Sequence, residues 1–145
     1  MHLIYIFSFR MKNILLLIFF LLCIFGSVSA QSSESNKYIS LEPYYFHLAY
    51  LKADSAMMID VREYFEFKGK KIRDAVNMPS TGNLEFAADT LSHGYSLFFY
   101  CTTDYRSRKV AEYFSGLGFT RVYNLEGGIA AWRKDGFPVT RKKSR

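Results

Sequence analysis

Short apolar runs alternate along the chain with segments that have helical spacing. The runs that predict buried strands lie at 56–61, 72–78, 96–100 and 122–125. Helices are predicted after Ser40, at 63–67 and at 84–91. A further helix is predicted where Val110, Phe114 and Leu117 recur at helical spacing, and a last one, with Trp132, after Gly127–Gly128. The strands lack the strict apolar–polar alternation of a half-exposed sheet, so the pattern predicts an α/β domain with a parallel sheet covered on both faces.

The first predicted helix has a defined start and an apolar face. Ser40 is expected to cap it, with Pro43 in the first turn, where a missing N–H group does no harm. Phe46, Ala49 and Tyr50 share one side of this helix and predict the face that packs on the sheet.

The first thirty residues have the three parts of a secretory signal peptide. Arg10 and Lys12 precede an apolar run at 14–25, and small residues follow at Val28 and Ala30. The run is shorter than the roughly 20 residues that a membrane span needs. We expect cleavage after Ala30 and an exported protein, periplasmic or secreted, with an uncleaved N-terminal anchor as the alternative.

The remaining chain divides into three parts. Residues 31–37 are polar and predict an unstructured lead-in, 38–139 predict one domain, and 140–145 form a basic tail. Within the signal peptide, Met11 offers a second start, so the true start codon stays open. The 145-residue chain has a formal net charge of +6, and no aromatic residues alternate with the cations of the tail. The tail therefore predicts a solvated end, and we expect neither nucleic-acid binding nor membrane contact beyond the signal peptide.

Nothing in the sequence predicts a cofactor or a metal. His47 and His93 have no second ligand at metal-binding spacing. The Gly127–Gly128 pair lacks the further glycines and the lysine of a nucleotide-binding loop, which predicts a simple backbone turn.

The number of cysteines, in contrast, points to a functional thiol. The chain has two, Cys23 and Cys101, and removal of the signal peptide leaves Cys101 alone. Exported proteins that use cysteine structurally use it in pairs, so an unpaired thiol needs another explanation. A buried, inert cysteine is the structural alternative.

The surroundings of Cys101 favour a reactive thiol. Residues 100–107 read Tyr-Cys-Thr-Thr-Asp-Tyr-Arg-Ser and join a predicted strand to a predicted helix. Main-chain N–H groups in a loop at a helix N-terminus point inward and favour negative charge. The sequence therefore predicts a thiolate nucleophile at Cys101.

With this loop in place, the chain resembles the rhodanese-like domain family over about residues 38–139. The resemblance is carried by five segments in the family's order, at 58–63, 72–79, 101–107, 125–132 and 136–139. It implies a three-layer α/β/α domain with a five-stranded parallel sheet, and the activity of a single-domain sulfurtransferase.

The resemblance also implies a mechanism and its residues. Cys101 would take a sulfane sulfur from thiosulfate or a persulfide and pass it from a Cys101 persulfide to a thiol or cyanide. Asp60 and Arg62 would support the site as an ion pair. The loop would bind the substrate with Thr102, Thr103, Asp104, Tyr105, Arg106 and Ser107, of which the last could cap the helix or donate to the sulfur.

Two departures keep other functions open. Asp104 stands where many relatives have glycine, at a turn that can need positive φ, and its charge would disfavour a thiolate. Thr102 and Thr103 carry no positive charge, which weakens the case for thiosulfate as the preferred donor. A catalytically silent binding module and a thiol redox partner therefore remain as alternatives.

Phosphoryl chemistry is disfavoured by the length of the loop. Four residues separate Cys101 from Arg106, whereas the related loops of cysteine phosphatases and arsenate reductases have five. The shorter loop encloses less space, and Asp104 would repel a phosphate dianion.

Overall fold

A computed structural model describes residues 38–141 of the chain. The predicted signal peptide (1–30), the predicted lead-in (31–37) and residues 142–145 of the basic tail lie outside the described residues. Within residues 38–141, none of the helices has the length and apolar character needed to span a bilayer.

Strands and helices alternate through the described part of the chain. In chain order they are β1 (Ile39–Leu41), α1 (Pro43–Lys52), β2 (Ala56–Asp60), α2 (Tyr64–Gly69), β3 (Val76–Asn77), α3 (Leu84–Thr90), β4 (Ser96–Tyr100), α4 (Tyr105–Gly116), β5 (Val122–Leu125) and α5 (Gly128–Lys134).

The strands form one parallel sheet in the order β1-β5-β4-β2-β3. From β4 the chain continues to β5 on one side, whereas from β2 it continues to β3 on the other. A crevice therefore opens between β4 and β2 at the carboxyl edge of the sheet, where open α/β sheets bind their ligands.

Helices cover both faces of this sheet, and β4 shows why. Leu97 and Phe99 point into a core with Val110 of α4, whereas Phe98 and Tyr100 point into a second core on the other face. The second core also contains Phe46, Phe67 and Trp132, from α1, α2 and α5. Because both faces of β4 are buried, its sequence is continuously apolar. The three-layer α/β/α fold with a five-stranded parallel sheet is confirmed.

The prediction for the first helix was wrong at its start. Ser40 lies in β1, which pairs with β5, and its Oγ accepts a hydrogen bond of 2.8 Å from Asn124 Nδ2. The N-cap residue of α1 is Glu42. A three-residue edge strand is too short to give a periodic pattern of apolar residues. Serine is a common N-cap residue, so the sequence alone favoured a helix cap at Ser40.

The strand predicted at 72–78 is reduced to Val76–Asn77. Asp74 adopts φ of 62°, in the left-handed region, and the Ala75 N–H donates to the Ile72 carbonyl at 3.3 Å. This turn interrupts the extended chain before β3, because a residue at positive φ cannot continue a strand.

Candidate active site

Cys101 directly follows the central strand β4, at the crevice between β4 and β2. The two strands beside β4, β2 and β5, end at Asp60 and Leu125. The loops that follow these two strands therefore flank the cysteine loop. The residue is 1% exposed and forms no disulfide. Side chains of β4 alternate between the two faces of the sheet, and Cys101 lies on the same buried face as Leu97 and Phe99. Because the thiol is buried, its polar contacts must come from the loop that follows it.

Asp104 makes the tight turn of this loop possible. It adopts φ of 80° and is the N-cap residue of α4. Aspartate tolerates this left-handed conformation better than most residues, which explains how the loop forms with a residue other than glycine at this turn. Its Oδ2 accepts a 3.0 Å hydrogen bond from the Gly127 N–H, and its Oδ1 lies 3.5 Å from Arg108 Nε.

The turn directs several donors at the sulfur. The N–H groups of Ser107, Thr103 and Arg106 donate to Cys101, and Ser107 Oγ lies 3.7 Å from Sγ. Ser107 Oγ also donates to the Asp104 carbonyl at 3.1 Å. Of its two expected roles, Ser107 therefore takes the contact with the sulfur, because Asp104 is the cap.

These donors decide the state of the thiol. Burial raises the pKa of Cys101, but the hydrogen bonds from Ser107, Thr103 and Arg106 outweigh burial and leave the pKa below its usual value. The loop therefore favours the thiolate, which is the nucleophilic form.

From the β5 side, the loop is held by main-chain contacts. The N–H groups of Ile129 and Ala130 donate to the carbonyls of Cys101 at 2.9 Å and Thr102 at 3.1 Å. Gly128 lies against this pair, and a Cβ atom there would be 2.5 Å from the Cys101 carbonyl oxygen. The Gly127–Gly128 turn, at φ of 67° and 59°, therefore also seats the cysteine loop, which the sequence did not reveal.

From the β2 side, the loop is held by an ion pair. Arg106 Nη1 and Nη2 donate to the two carboxylate oxygens of Glu66 at 2.9 and 3.0 Å. Thr102 Oγ1 donates to Glu66 Oε1 at 2.9 Å and accepts from Arg106 Nη2 at 3.1 Å. Arg106 thus braces the loop against α2.

Glu66 is a site residue that sequence reasoning missed. It forms a capping box with Glu63 at the start of α2, and the spacing of these two acids was the available signal. The hydrogen bond from Arg106 lowers the pKa of Glu66 to about 2, against the smaller opposing effect of burial and with help from Thr102. The carboxylate is therefore charged at neutral pH.

Asp60 and Arg62 form the expected ion pair at the end of β2. Arg62 Nη2 lies 2.6 Å from Asp60 Oδ2, both residues are buried, and Arg62 Nη2 also donates to the Lys70 carbonyl at 2.7 Å. Asn77 Nδ2 donates to both of their main-chain carbonyls. These bonds fix the strand end beside Cys101; the supporting role itself stays a prediction.

The outer part of the loop is open to solvent. Thr103 is exposed, and Tyr105 is 60% exposed with Lys109 Nζ 4.5 Å from the centre of its ring. These two side chains therefore lie on the solvent side of the loop.

Comparison with known proteins identifies the fold. The model of the rhodanese-like domain matches residues 47–135. The chain belongs to the rhodanese-like domain family. A crystal structure of a rhodanese-related protein from Thermoplasma volcanium has a TM-score of 0.64 and 28% identity, covering 72% of this chain and all of that one.

Two relatives of this rhodanese-like chain are uncharacterized proteins. One, YqhL of Bacillus subtilis, is 30% identical over 122 residues, which cover 84% of this chain and 94% of the relative. The other, from Synechocystis, is 31% identical over 91 residues, which cover 63% of this chain. The chain spans about half of the Synechocystis protein, since the match covers 50% of it.

Proposed function

We propose that this rhodanese-like protein is an exported sulfurtransferase that works through a Cys101 persulfide. The observation that carries the proposal is the convergence of three main-chain N–H groups and the Ser107 hydroxyl on Cys101. Family membership supports the same chemistry.

The proposed reaction has two balanced steps. The Cys101 thiolate attacks the sulfane sulfur of the donor, a Cys101 S–S bond forms, and the donor's own bond to that sulfur breaks. The electron pair leaves with the donor, as sulfite from thiosulfate or as a thiolate from a persulfide. An acceptor thiolate or cyanide then attacks the outer sulfur and restores the Cys101 thiolate.

The loop suits both states of the cysteine. Thiolate and persulfide are both anions, and N–H groups already oriented toward an anion need no reorganisation during turnover. The Arg106 guanidinium binds Glu66 and Thr102, and it also interacts with Cys101. In this proposal Arg106 therefore positions the loop and adds a positive charge beside the sulfur.

Sulfur loading tests the proposal directly. The purified protein is incubated with thiosulfate or an organic persulfide and its intact mass is measured. We expect a gain of one sulfur atom that Cys101→Ser abolishes, because the expected cleavage after Ala30 removes Cys23, the other cysteine of the chain. Peptide mapping then assigns the added sulfur.

The alternatives give other results. A silent binding module would gain no sulfur from any donor. A thiol redox partner would form mixed disulfides through Cys101 without gaining sulfur. Either result would overturn the proposed activity.

Export is a separate part of the proposal and rests on the basic start, apolar run and small residues of 1–30. Cell fractionation and N-terminal sequencing test it. We expect the protein outside the cytoplasm, beginning at Gln31. An intact N-terminus on cytoplasmic protein would overturn export and leave the sulfur chemistry untouched.

A further inference from the structure

Two segments that are distant in the sequence bring their positive charges together. The Lys71 N–H donates to the Thr140 carbonyl at 2.9 Å, and the Thr140 N–H donates to the Lys71 carbonyl at 2.7 Å. In an antiparallel pair the residue before one partner faces the residue after the other, so Lys70 and Arg141 are neighbours across the two chains. The start of the basic tail therefore lies beside the basic segment 68–73.

The exposed cations at this place are not paired with acids. Within residues 38–141, no ion pair includes Lys68, Lys70, Arg73 or Arg141, and all four are exposed. Like charges at facing positions repel each other. A bound anionic partner would relieve this repulsion.

Most of the positive charge of the chain is concentrated in these two segments. Residues 68–74 and 140–145 contain eight cations and one acid, a formal charge of +7. The rest of residues 31–145 contains nine cations and twelve acids, a formal charge of −3. A molecule with this separation of charge turns its basic side toward an anionic surface.

Aromatic side chains of α2 border the same cations. Tyr64 and Phe65 are 53% and 76% exposed, and the helical spacing puts both on one side of α2 with Lys68. Phe67 is buried in the core, which directs this other side to solvent. Aromatic rings beside lysines suit the boundary between lipid headgroups and acyl chains.

From these observations we infer that a basic surface, formed by Lys68, Lys70, Lys71, Arg73 and Arg141, binds anionic lipid headgroups. The tail alone predicts a solvated end, but the fold adds the four cations of 68–73 to it. Both interpretations of residues 1–30, signal peptide and anchor, bring the chain to a membrane, which favours lipid over other polyanions. This binding goes beyond the proposed sulfur chemistry and does not use Cys101.

Binding to two kinds of vesicle tests the inference. The protein is sedimented with vesicles of phosphatidylcholine alone and with vesicles of phosphatidylcholine and phosphatidylglycerol in equal parts. The ratio of the two partition coefficients isolates the effect of charge, because an apolar N-terminal run would bind to both kinds. We expect a ratio well above one that falls as salt is added. A ratio of one at low salt would overturn the inference.

Lys68→Gln/Lys70→Gln tests the residues of the fold. Each lysine near an anionic surface contributes about fivefold to binding, so the ratio should fall about 25-fold. Lys109→Gln/Arg121→Gln is the matched control, since it removes two charges from exposed positions of α4 and of the turn before β5. The control should lower the ratio by less than about fivefold. Equal losses in the two variants would mean that net charge alone acts, and would overturn the assigned surface.

A third variant tests whether the tail and the fold act together. Lys142→Gln/Lys143→Gln should lower the ratio on its own, and combination with Lys68→Gln/Lys70→Gln should lower it further. If the tail variant abolishes the preference while Lys68→Gln/Lys70→Gln has no effect, the surface joined by the bridge is wrong.

Phe65→Ser tests the contact made by α2. It should weaken binding to the anionic vesicles, because the ring would be buried among the headgroups. Phe86→Ser is the control, since this ring is 66% exposed on α3, which packs on the other face of the sheet. Equal effects of the two substitutions, or none from Phe65→Ser, would contradict a surface that includes α2.

Other polyanions and other failures are distinguishable. Double-stranded DNA and polyglutamate are tested at the same concentration of charge as the anionic vesicles. Tighter binding to either, weakened by Lys68→Gln/Lys70→Gln, would assign the surface to a nucleic acid or an acidic protein and overturn the inference. Cys101→Ser should bind vesicles as the wild type does, so a failure of sulfur transfer leaves lipid binding untouched.

Discussion

The cysteine loop is held on its two sides by different kinds of contact. Toward β5, main-chain N–H groups of Ile129 and Ala130 bind loop carbonyls, and Gly128 allows the close approach. Toward β2, the carboxylate of Glu66 binds the side chains of Arg106 and Thr102. The first side depends on backbone shape and the second on charge.

The backbone contacts on the β5 side are needed to form the site, whereas the ion pair on the β2 side adjusts its properties. Backbone contacts at van der Waals distance cannot relax without moving the loop, because protein interiors are closely packed. A partly exposed ion pair responds to pH, salt and substitution and contributes modestly to stability. We therefore expect changes on the β5 side to remove the site, and changes on the β2 side to alter it.

The largest effect is expected for Gly128→Ala. The new Cβ would lie 2.5 Å from the Cys101 carbonyl oxygen, at a residue with φ of 59°. Backbone strain and overpacking together should reduce the free energy of unfolding by about 2–5 kcal/mol. Urea unfolding measures this loss, and sulfur loading should fall with it.

Gly116→Ala is the matched control for this substitution. Gly116 is the last residue of α4, and nothing lies within 4 Å of the position that its Cβ would occupy. Alanine there should leave stability unchanged or increase it by about 0.5–1 kcal/mol. Equal destabilisation by the two substitutions would show that the contact with the loop is not the cause.

The next effect is expected at Asp104, which joins the loop to the β5 side through the Gly127 N–H at 3.0 Å. Asp104→Gly loses this acceptor but accepts φ of 80°, and should cost about 1 kcal/mol. Asp104→Ala loses the acceptor and is strained as well, so it should cost about 1 kcal/mol more. Urea unfolding of both variants separates the two terms, and equal losses would exclude backbone strain.

A smaller, pH-dependent effect is expected on the β2 side. The hydrogen bond from Arg106 lowers the pKa of Glu66 from 4.5 to about 2. Because the pKa is lower in the folded state, the pair stabilises the protein above pH 4.5, and this stabilisation is lost as the pH falls toward 2. For a partly exposed pair the contribution is about 1 kcal/mol.

Comparison with Glu66→Gln isolates this contribution from the other carboxylates. The difference in free energy of unfolding between wild type and variant should be largest near pH 7 and disappear toward pH 2. A difference that does not change with pH would show that Glu66 stabilises by packing alone.

The pattern of apolar residues predicts the elements that are buried on both faces. The run at 96–100 matches β4, and 122–125 matches β5. It fails at the sheet edges, where β1 and β3 have three and two residues. Such strands are fixed by pairing with a distant neighbour, which no local pattern records.

The candidate site was predictable to the same extent. Cys101 and Arg106 stand close together in one loop, so their spacing is visible in the sequence. Glu66 reaches Arg106 across 40 positions, and Gly128 meets Cys101 only because β5 lies beside β4. Contacts set by the order of the strands need the folded structure.

The smallest effect is expected for Thr102→Val, which removes one hydroxyl from the β2 side. Thr102 Oγ1 donates to Glu66 Oε1 at 2.9 Å, and loss of this exposed bond should cost about 0.5 kcal/mol. Because the hydroxyl also lowers the pKa of Glu66, Thr102→Val should raise that pKa, as NMR titration of the carboxyl can measure. Thr102→Ser keeps the hydroxyl and should keep the pKa low; a pKa that stays low in Thr102→Val as well would mean that the hydrogen bond from this hydroxyl does not lower it.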